Sequence, residues 1–267
     1  DSDEGPGLYA VASGYYEGWP GAELWVSRDN GATYERTTTA FTTGGVIGYA
    51  MTALGNFLSG NIFDELNQVT VRLLNGELFS ATADEVLGGA NLAYAGGELF
   101  QFKSASLIGS KQYILSGLLR GRRGTERFMS THNSGESFIF LDQNTAKFVK
   151  LSTEDIGMPL NFKAVTFNQF VSETAATSIT PTGSVLKPLS PVDIGGGRTA
   201  NASYDINIQW ARRARSDTGW RNHVDVPLDE AVENYEVEIY SSSSFTTLRR
   251  TLTSTATAAG SVVTPLT

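Results

Sequence analysis

Residues 118–126 read LLRGRRGTE. Leu118 and Leu119 end an apolar strand, and the chain then enters a loop in which Gly121 and Gly124 bracket Arg122 and Arg123, with Thr125 and Glu126 following at once. Glycine reaches positive φ without steric cost, so this spacing predicts a tight reversal. Four arginines, Arg120, Arg122, Arg123 and Arg127, crowd it, and each must point into solvent or toward a carboxylate. Guanidinium forks grip phosphate or carboxylate bidentately, which makes the cluster a candidate anion site. The preferred reading, in a chain of net charge -8, is that the arginines meet Glu126 or acidic surfaces of a neighbouring subunit.

Outward from this loop the periodicity is that of strands. Gln112 to Arg120 feeds the loop, and Asn91 to Ala95 and Glu98 to Ser106 flank Gly96-Gly97, with Phe100 and Phe102 on one face. Gln68 to Leu74 alternates Val69, Val71 and Leu73, and Asn75-Gly76 then predicts a type I′ hairpin with Glu77 to Ala81 as the return strand. Thr82 with Glu85 three residues on has the form of a capping box for one helical turn, ended by Gly88-Gly89. Nearer the N-terminus, Asp1 to Gly7 reads as an acidic linker or edge. Leu8 to Ser13 then alternates as a strand, and Glu23 to Ser27 and Ala32 to Thr38 surround an Asp29-Asn30-Gly31 turn. Thr42 to Phe63 has five glycines and no clean period. Beyond the loop, Ser137 to Leu141 and Lys147 to Leu151 read as a strand pair, Thr153 to Ile156 as a turn and Asn161 to Val171 as a strand. The expectation is an all-β chain with few helical turns.

From Thr180 to Val192 the composition shifts to Pro181, Pro188 and Pro191 with Thr, Ser and Gly between them, which marks a domain boundary. Residues 1–180 are read as one β-rich domain, 181–191 as a linker and 192–267 as a second domain. In the second, Tyr204, Ile206, Ile208 and Trp210 alternate with Asp205, Asn207 and Gln209; Tyr235, Val237 and Ile239 repeat the device, and Phe245 to Thr253 is a third strand. A leading Ser190-Pro191, a Trp-bearing strand and a Tyr-led strand resemble a fibronectin type III β-sandwich. Such modules need about seven strands. Only about four are legible, so the module is read as truncated or as finished by residues not present.

Composition excludes several chemistries. Cysteine is absent, so disulfides, thiolate metal sites and a nucleophilic Cys are excluded. The acidic balance argues against a duplex-binding surface, and no specific nucleic acid is expected. No apolar run of about 18 residues is present, and no membrane anchor or secretion signal is read. The sequence begins at Asp1 rather than Met, and the expectation is a fragment of a longer chain. The two histidines, His132 and His223, stand more than 90 residues apart in sequence without a Gly-x-Ser-x-Gly elbow or metal-ligand spacing. Carboxylates are plentiful, but nothing singles out a glycosidase pair. No catalytic, cofactor or metal site is read.

Two further constellations carry physical content. SRDNGATY, residues 27–34, has the Ser-x-Asp-x-Gly-x-Thr-aromatic form of an Asp-box, a hairpin whose carboxylate takes backbone N–H bonds across the turn. With one copy it reads as a stabilised hairpin, not as a propeller blade. Tyr15, Tyr16, Trp19 and Trp25 lie close in sequence and are the candidate glycan contacts, since sugars stack on aromatic faces; core packing is the ordinary explanation. Arg212, Arg213 and Arg215 form a second basic cluster, read as a solvated strand end or loop.

The LLRGRRGTE loop, its approach GELFQFKSASLIGSKQYILSG at 97–117 and its exit RFMSTHNSGESFIFLD at 127–142 together resemble the tail-hub proteins of long-tailed bacteriophages and gene transfer agents. The resemblance covers roughly Gly7 to Val171, with Gly18-Trp19-Pro20-Gly21 to Tyr34 as its second most specific part, and the fibronectin-like segment fits hub chains that carry such modules. It implies a baseplate-hub component that joins tail tube to host-recognition apparatus at the virion tail tip, as a homotrimer contacting other tube and baseplate proteins. Arg120, Gly121, Arg122, Arg123, Gly124, Thr125, Glu126, His132 and Glu136 fall at the motif positions and are expected to be fold or interface residues. The expected function is structural, without cofactor or catalysis. The alternative is a carbohydrate-binding module of a tail fibre or secreted glycan-active protein, using the Tyr15 to Trp25 aromatics on host surface glycan; a hydrolase with an unrecognised carboxylate pair is a third reading.

Overall fold

The computed structural model describes residues 5–16, 18–57, 62–198, 206–215, 226–254 and 261–264, and divides into two compact units, Asp1–Lys187 and Pro188–Thr267. Tyr204, Asp205, His223 and the first four residues of the acidic N-terminal stretch lie outside the described residues. The protein is all-β, with one five-residue α-helix among the described residues.

The first unit runs β1 (Gly7–Ala10), β2 (Ala22–Ser27), β3 (Glu35–Phe41), β4 (Ile47–Ala50), β5 (Phe63–Asp64), β6 (Val69–Leu73), α1 (Ala83–Leu87), β7 (Leu92–Ala95), β8 (Glu98–Gly109) and β9 (Gln112–Leu119). After the arginine loop come β10 (Ser137–Phe140), β11 (Lys147–Lys150), β12 (Leu160–Thr166) and β13 (Thr177–Ile179). Six strands close on themselves in the order β4-β6-β9-β8-β7-β10, with β10 pairing back onto β4 and every pairing antiparallel. Closure leaves no unpaired edge, and alternate side chains fill the interior. That interior holds Val69, Val71, Leu73, Ala93, Ala95, Phe100, Phe102, Tyr113, Leu115, Leu118 and Phe138. Along β9 the inward series Tyr113, Leu115 changes phase at Gly117, whose φ of +60° reorients the chain so that Leu118 joins the interior.

The chain on either side of the barrel forms a second layer. A four-stranded sheet, β13-β12-β2-β3, and a β1-β11 ribbon share a core of Ala22, Leu24, Val26, Phe41, Val149, Leu151, Leu160 and Phe162, with Leu8, Ala10, Ala12 and Trp19 packed against it. The alternation of Leu8, Ala10 and Ala12 thus has its physical counterpart, while Tyr9 stays exposed.

Two expected pairings do not form. Glu77 to Ala81 is not a strand: both edges of β6 are occupied by β4 and β9, and a type I′ turn needs positive φ at both central residues, whereas only Gly76 has it. The strands at 137–140 and 147–150 do not pair with each other, because β10 closes the barrel and β11 joins β1. The segment without clean period contains β4 and runs into the first residue of β5. The capping box forms as read, with Thr82 Oγ1 accepting from Glu85 N and Glu85 Oε2 from Thr82 N.

The second unit contains β14 (Val192–Arg198), β15 (Ile206–Ala211), β16 (Tyr235–Tyr240), β17 (Leu248–Ser254) and β18 (Ser261–Thr264). They form a three-stranded sheet, β14-β15-β18, and a β16-β17 ribbon, five strands among the described residues rather than about four. Trp210 is buried and meets Tyr235 edge-on, ring centroids 5.0 Å apart.

Candidate functional site

The β7–β8 hairpin, the end of β9, the start of β10 and the end of β4 share one end of the barrel. The arginine loop crosses this end on its way from β9 to β10. Glu98 begins β8 on the same face as Phe100 and Phe102, so its carboxylate is the last inward rung of an otherwise apolar series. A bare carboxylate there would be prohibitively desolvated. Arg120 answers it, with Nε 2.8 Å from Glu98 Oε1 and Nη2 2.8 Å from Oε2. Its remaining N–H groups reach Asp64 Oδ2 at 3.1 Å, Gly55 O at 3.0 Å and Met129 O at 3.2 Å. All five guanidinium donors are used, and the side chains of Arg120, Glu98 and Asp64 are fully buried. The partners of Arg120 are therefore Glu98 and Asp64, not Glu126.

His132 extends the cluster. Its Nε2 lies 2.7 Å from Glu98 Oε2 and its Nδ1 2.8 Å from Glu136 Oε2, while Glu136 Oε1 accepts from Asn133 N at 2.8 Å. Glu98 also accepts from Gly121 N at 2.7 Å. Burial alone would raise the Glu98 carboxyl, but bonds from His132, Arg120 and Gly121 outweigh it and hold the group below its ordinary value. For His132 burial works against the charge, and the two carboxylates prevail, raising it above the ordinary histidine value.

The loop chemistry follows the spacing read from the sequence. Gly121 and Gly124 take φ of +60° and +83°, and Arg123 joins them at +54°. Thr125 Oγ1 donates to Arg122 O at 2.8 Å and accepts from Leu99 N at 2.9 Å, tying the turn to β8. Arg122 Nε donates to Gln101 Oε1 at 3.1 Å, and Gln101 in turn holds the carbonyls of Val86 and Ala90 around α1. Glu126 starts a second 3-10 turn, and Arg127 stacks on Phe128 at 4.6 Å. The motif residues thus gather around one barrel end, Arg120, Gly121, His132 and Glu136 inside the cluster and the others in the loop over it. Sequence reading missed Glu98 and Asp64. A carboxylate in phase with Phe100 and Phe102 was a legible signal for Glu98; Asp64, in a two-residue strand, offered none.

The other candidates separate. Asp29 accepts from Ser27 Oγ at 2.7 Å, Thr33 N at 2.9 Å and Thr33 Oγ1 at 2.5 Å, and the hydroxyl and amide of Thr33 bring its carboxyl down to about 2. This is a turn clasp. Among the aromatics, Tyr15 and Tyr16 are 86% and 87% exposed, Trp19 packs on the second core with Nε1 3.3 Å from Thr166 Oγ1, and Trp25 stands on the face of β2 opposite Leu24 and Val26. Trp19 and Trp25 therefore do not share a platform.

Among the described residues no group of three or more acidic, His or Cys side chains is arranged to hold a metal ion. The oxygens of Glu98 are committed to Arg120, Gly121 and His132, so the cluster is built to fasten the loop to the barrel. None of the curated proteins matches the chain. Residues 45–139, which span the barrel from just before β4 into β10, match the family described as Rcc01698-like, C-terminal, and over that span the chain is similar to a family whose name is linked to gene transfer agent proteins.

Proposed function

We propose that this chain is a structural segment of the tail tip of a bacteriophage or gene transfer agent, a baseplate hub that joins the tail tube to the host-recognition apparatus. The observation that carries this reading is the coincidence of the family match at 45–139 with the closed barrel and its LLRGRRGTE loop. The function is mechanical, with no catalytic step and no cofactor. A barrel without open edges, its end fastened by buried ion pairs, resists shear and passes a displacement from one neighbour to the next. In the particle the chain acts as a homotrimer around the tail axis, in contact with tube and baseplate proteins. Antibodies raised against it and located by gold labelling on intact particles test this. Label at the tube-to-baseplate junction supports the hub. Label on peripheral fibres, or none on the particle, overturns it and moves the exposed pair Tyr15 and Tyr16, as a glycan contact, to the front.

A further inference from the structure

We propose that His132 is a proton-operated latch: with both ring nitrogens protonated it holds the 131–134 turn against the barrel end, and loss of the Nδ1 proton to solvent releases that turn while the barrel stays closed. The argument is one of donor count. Both nitrogens of the ring sit at hydrogen-bond distance from carboxylate oxygens, Nε2 on Glu98 and Nδ1 on Glu136. An ionised carboxylate only accepts, and a neutral imidazole carries one N–H. The neutral ring would therefore point a lone pair at one of the two anions. Only the imidazolium satisfies both.

Which contact fails is set by burial. Glu98 is fully enclosed and already fixed by the guanidinium of Arg120 and the amide of Gly121, whereas the Glu136 side chain keeps 17% of its surface in water. The neutral tautomer keeps its proton on Nε2 toward Glu98, and Glu136 turns outward to solvent. Glu136 Oε1 also holds Asn133 N, so the turn loses that tie as well. The backbone bonds Gly135 N to Ala50 O and Ala50 N to Glu136 O remain, which confines the opening to the turn before them. The charged groups gathered around the ring are Glu98 from β8, Glu136 from the segment before β10, Arg120 behind Glu98 from the end of β9, and Asp64 of β5 beyond Arg120. Nothing in the bonding of Arg120 depends on the Nδ1 proton. The folded form holds this proton more firmly than the unfolded chain. The latch is therefore complete below the ordinary histidine value of 6.5 and is lost as pH rises through the folded value.

Hydrogen exchange of the full chain, followed by mass spectrometry between pH 6 and 9 and corrected for intrinsic rates, tests the latch. The expected result is that protection in 131–134 falls by about tenfold per pH unit across the window in which His132 deprotonates, while β8 and β9 keep theirs. Glu136→Gln supplies the control, because its amide can donate to Nδ1 of the neutral ring while its oxygen still accepts from Asn133. This variant should hold the turn closed at high pH and flatten the profile. The titration of the His132 Cε1–H resonance, assigned with His223→Gln, is read on otherwise unaltered protein and should lie above 6.5. A protection profile flat with pH, a loss spread evenly over the barrel, an unaltered profile in Glu136→Gln, or a His132 titration at or below 6.5 would each overturn the proposal.

Discussion

Arg120 and Glu98 meet fork to fork, with both contacts at 2.8 Å and neither side chain exposed, where the arginine loop closes the barrel end. A buried pair of this kind is a poor source of net stability, yet removing one partner strands the other. Arg120→Met leaves two buried carboxylates, Glu98 and Asp64, without their guanidinium. It should lower the free energy of unfolding by about 3–5 kcal/mol in urea titrations. Arg120→Lys should recover only part of this, because an ammonium does not reproduce the planar fork. An unfolding midpoint unmoved in Arg120→Met would show that the cluster does not secure the barrel end.

The same carboxylate sets an acid limb. Burial pushes Glu98 up, the bonds from His132, Arg120 and Gly121 pull it further down, and its folded value lies below the unfolded 4.5. A lowered carboxylate contributes stability that is present above the unfolded value and disappears as pH falls through the folded one. The Tm of the chain should therefore drop as pH is taken below 4.5. In Glu98→Gln the drop should be shallower and start from a lower Tm, since the neutral amide no longer matches the Arg120 fork. Parallel acid limbs in the two proteins would assign the effect to other carboxylates.

The turn between β7 and β8 allows strain and crowding to be separated. Gly97 has φ of +93°, and a Cβ there would lie 2.8–3.0 Å from the Phe128 ring. Gly135 has φ of +87° with open space where its Cβ would stand. Gly135→Ala should cost about 1–2 kcal/mol from backbone conformation alone. Gly97→Ala carries the same penalty and must also displace Phe128, part of the loop over the barrel end. Its loss in denaturant melts should be the larger of the two. Equal losses would mean that Phe128 yields freely and does not help position the loop.

How legible all this was depended on whether a signal was local. The strands around Gly96-Gly97, the α1 capping box and the Asp29 clasp each follow from chemistry within a few residues, and the structure has them. Failures came where a distant strand decided the outcome. Asn75-Gly76 has hairpin chemistry, but β6 already has β4 and β9 as neighbours, so the local preference has no edge to act on. The arginine loop was visible as a loop, but the partner of Arg120 was not, because Glu98 lies 22 positions away on another strand and Asp64 56 away. His132 and Glu136 were singled out by resemblance. Their contact to each other is local, and the shared tie through Glu98 is not.

The four N-terminal aromatics give a final separable outcome. Trp19 is packed on the second core, its ring passing the backbone of Gly14 and lying 3.7 Å from where a Cβ on Gly44 would stand. Its truncation opens a cavity between the four-stranded sheet and the β1-β11 ribbon, so Trp19→Ala should cost about 3 kcal/mol, the low end for a tryptophan that keeps some exposure. Tyr15 and Tyr16 are almost wholly in solvent, and replacing either with Ala should change stability by no more than about 0.5 kcal/mol. If this surface binds glycan, the tyrosine variants must lose binding on a glycan array while melting like the unaltered chain. Loss of binding in Trp19→Ala alone, together with a lowered Tm, would instead report a damaged fold and leave the aromatics as packing residues.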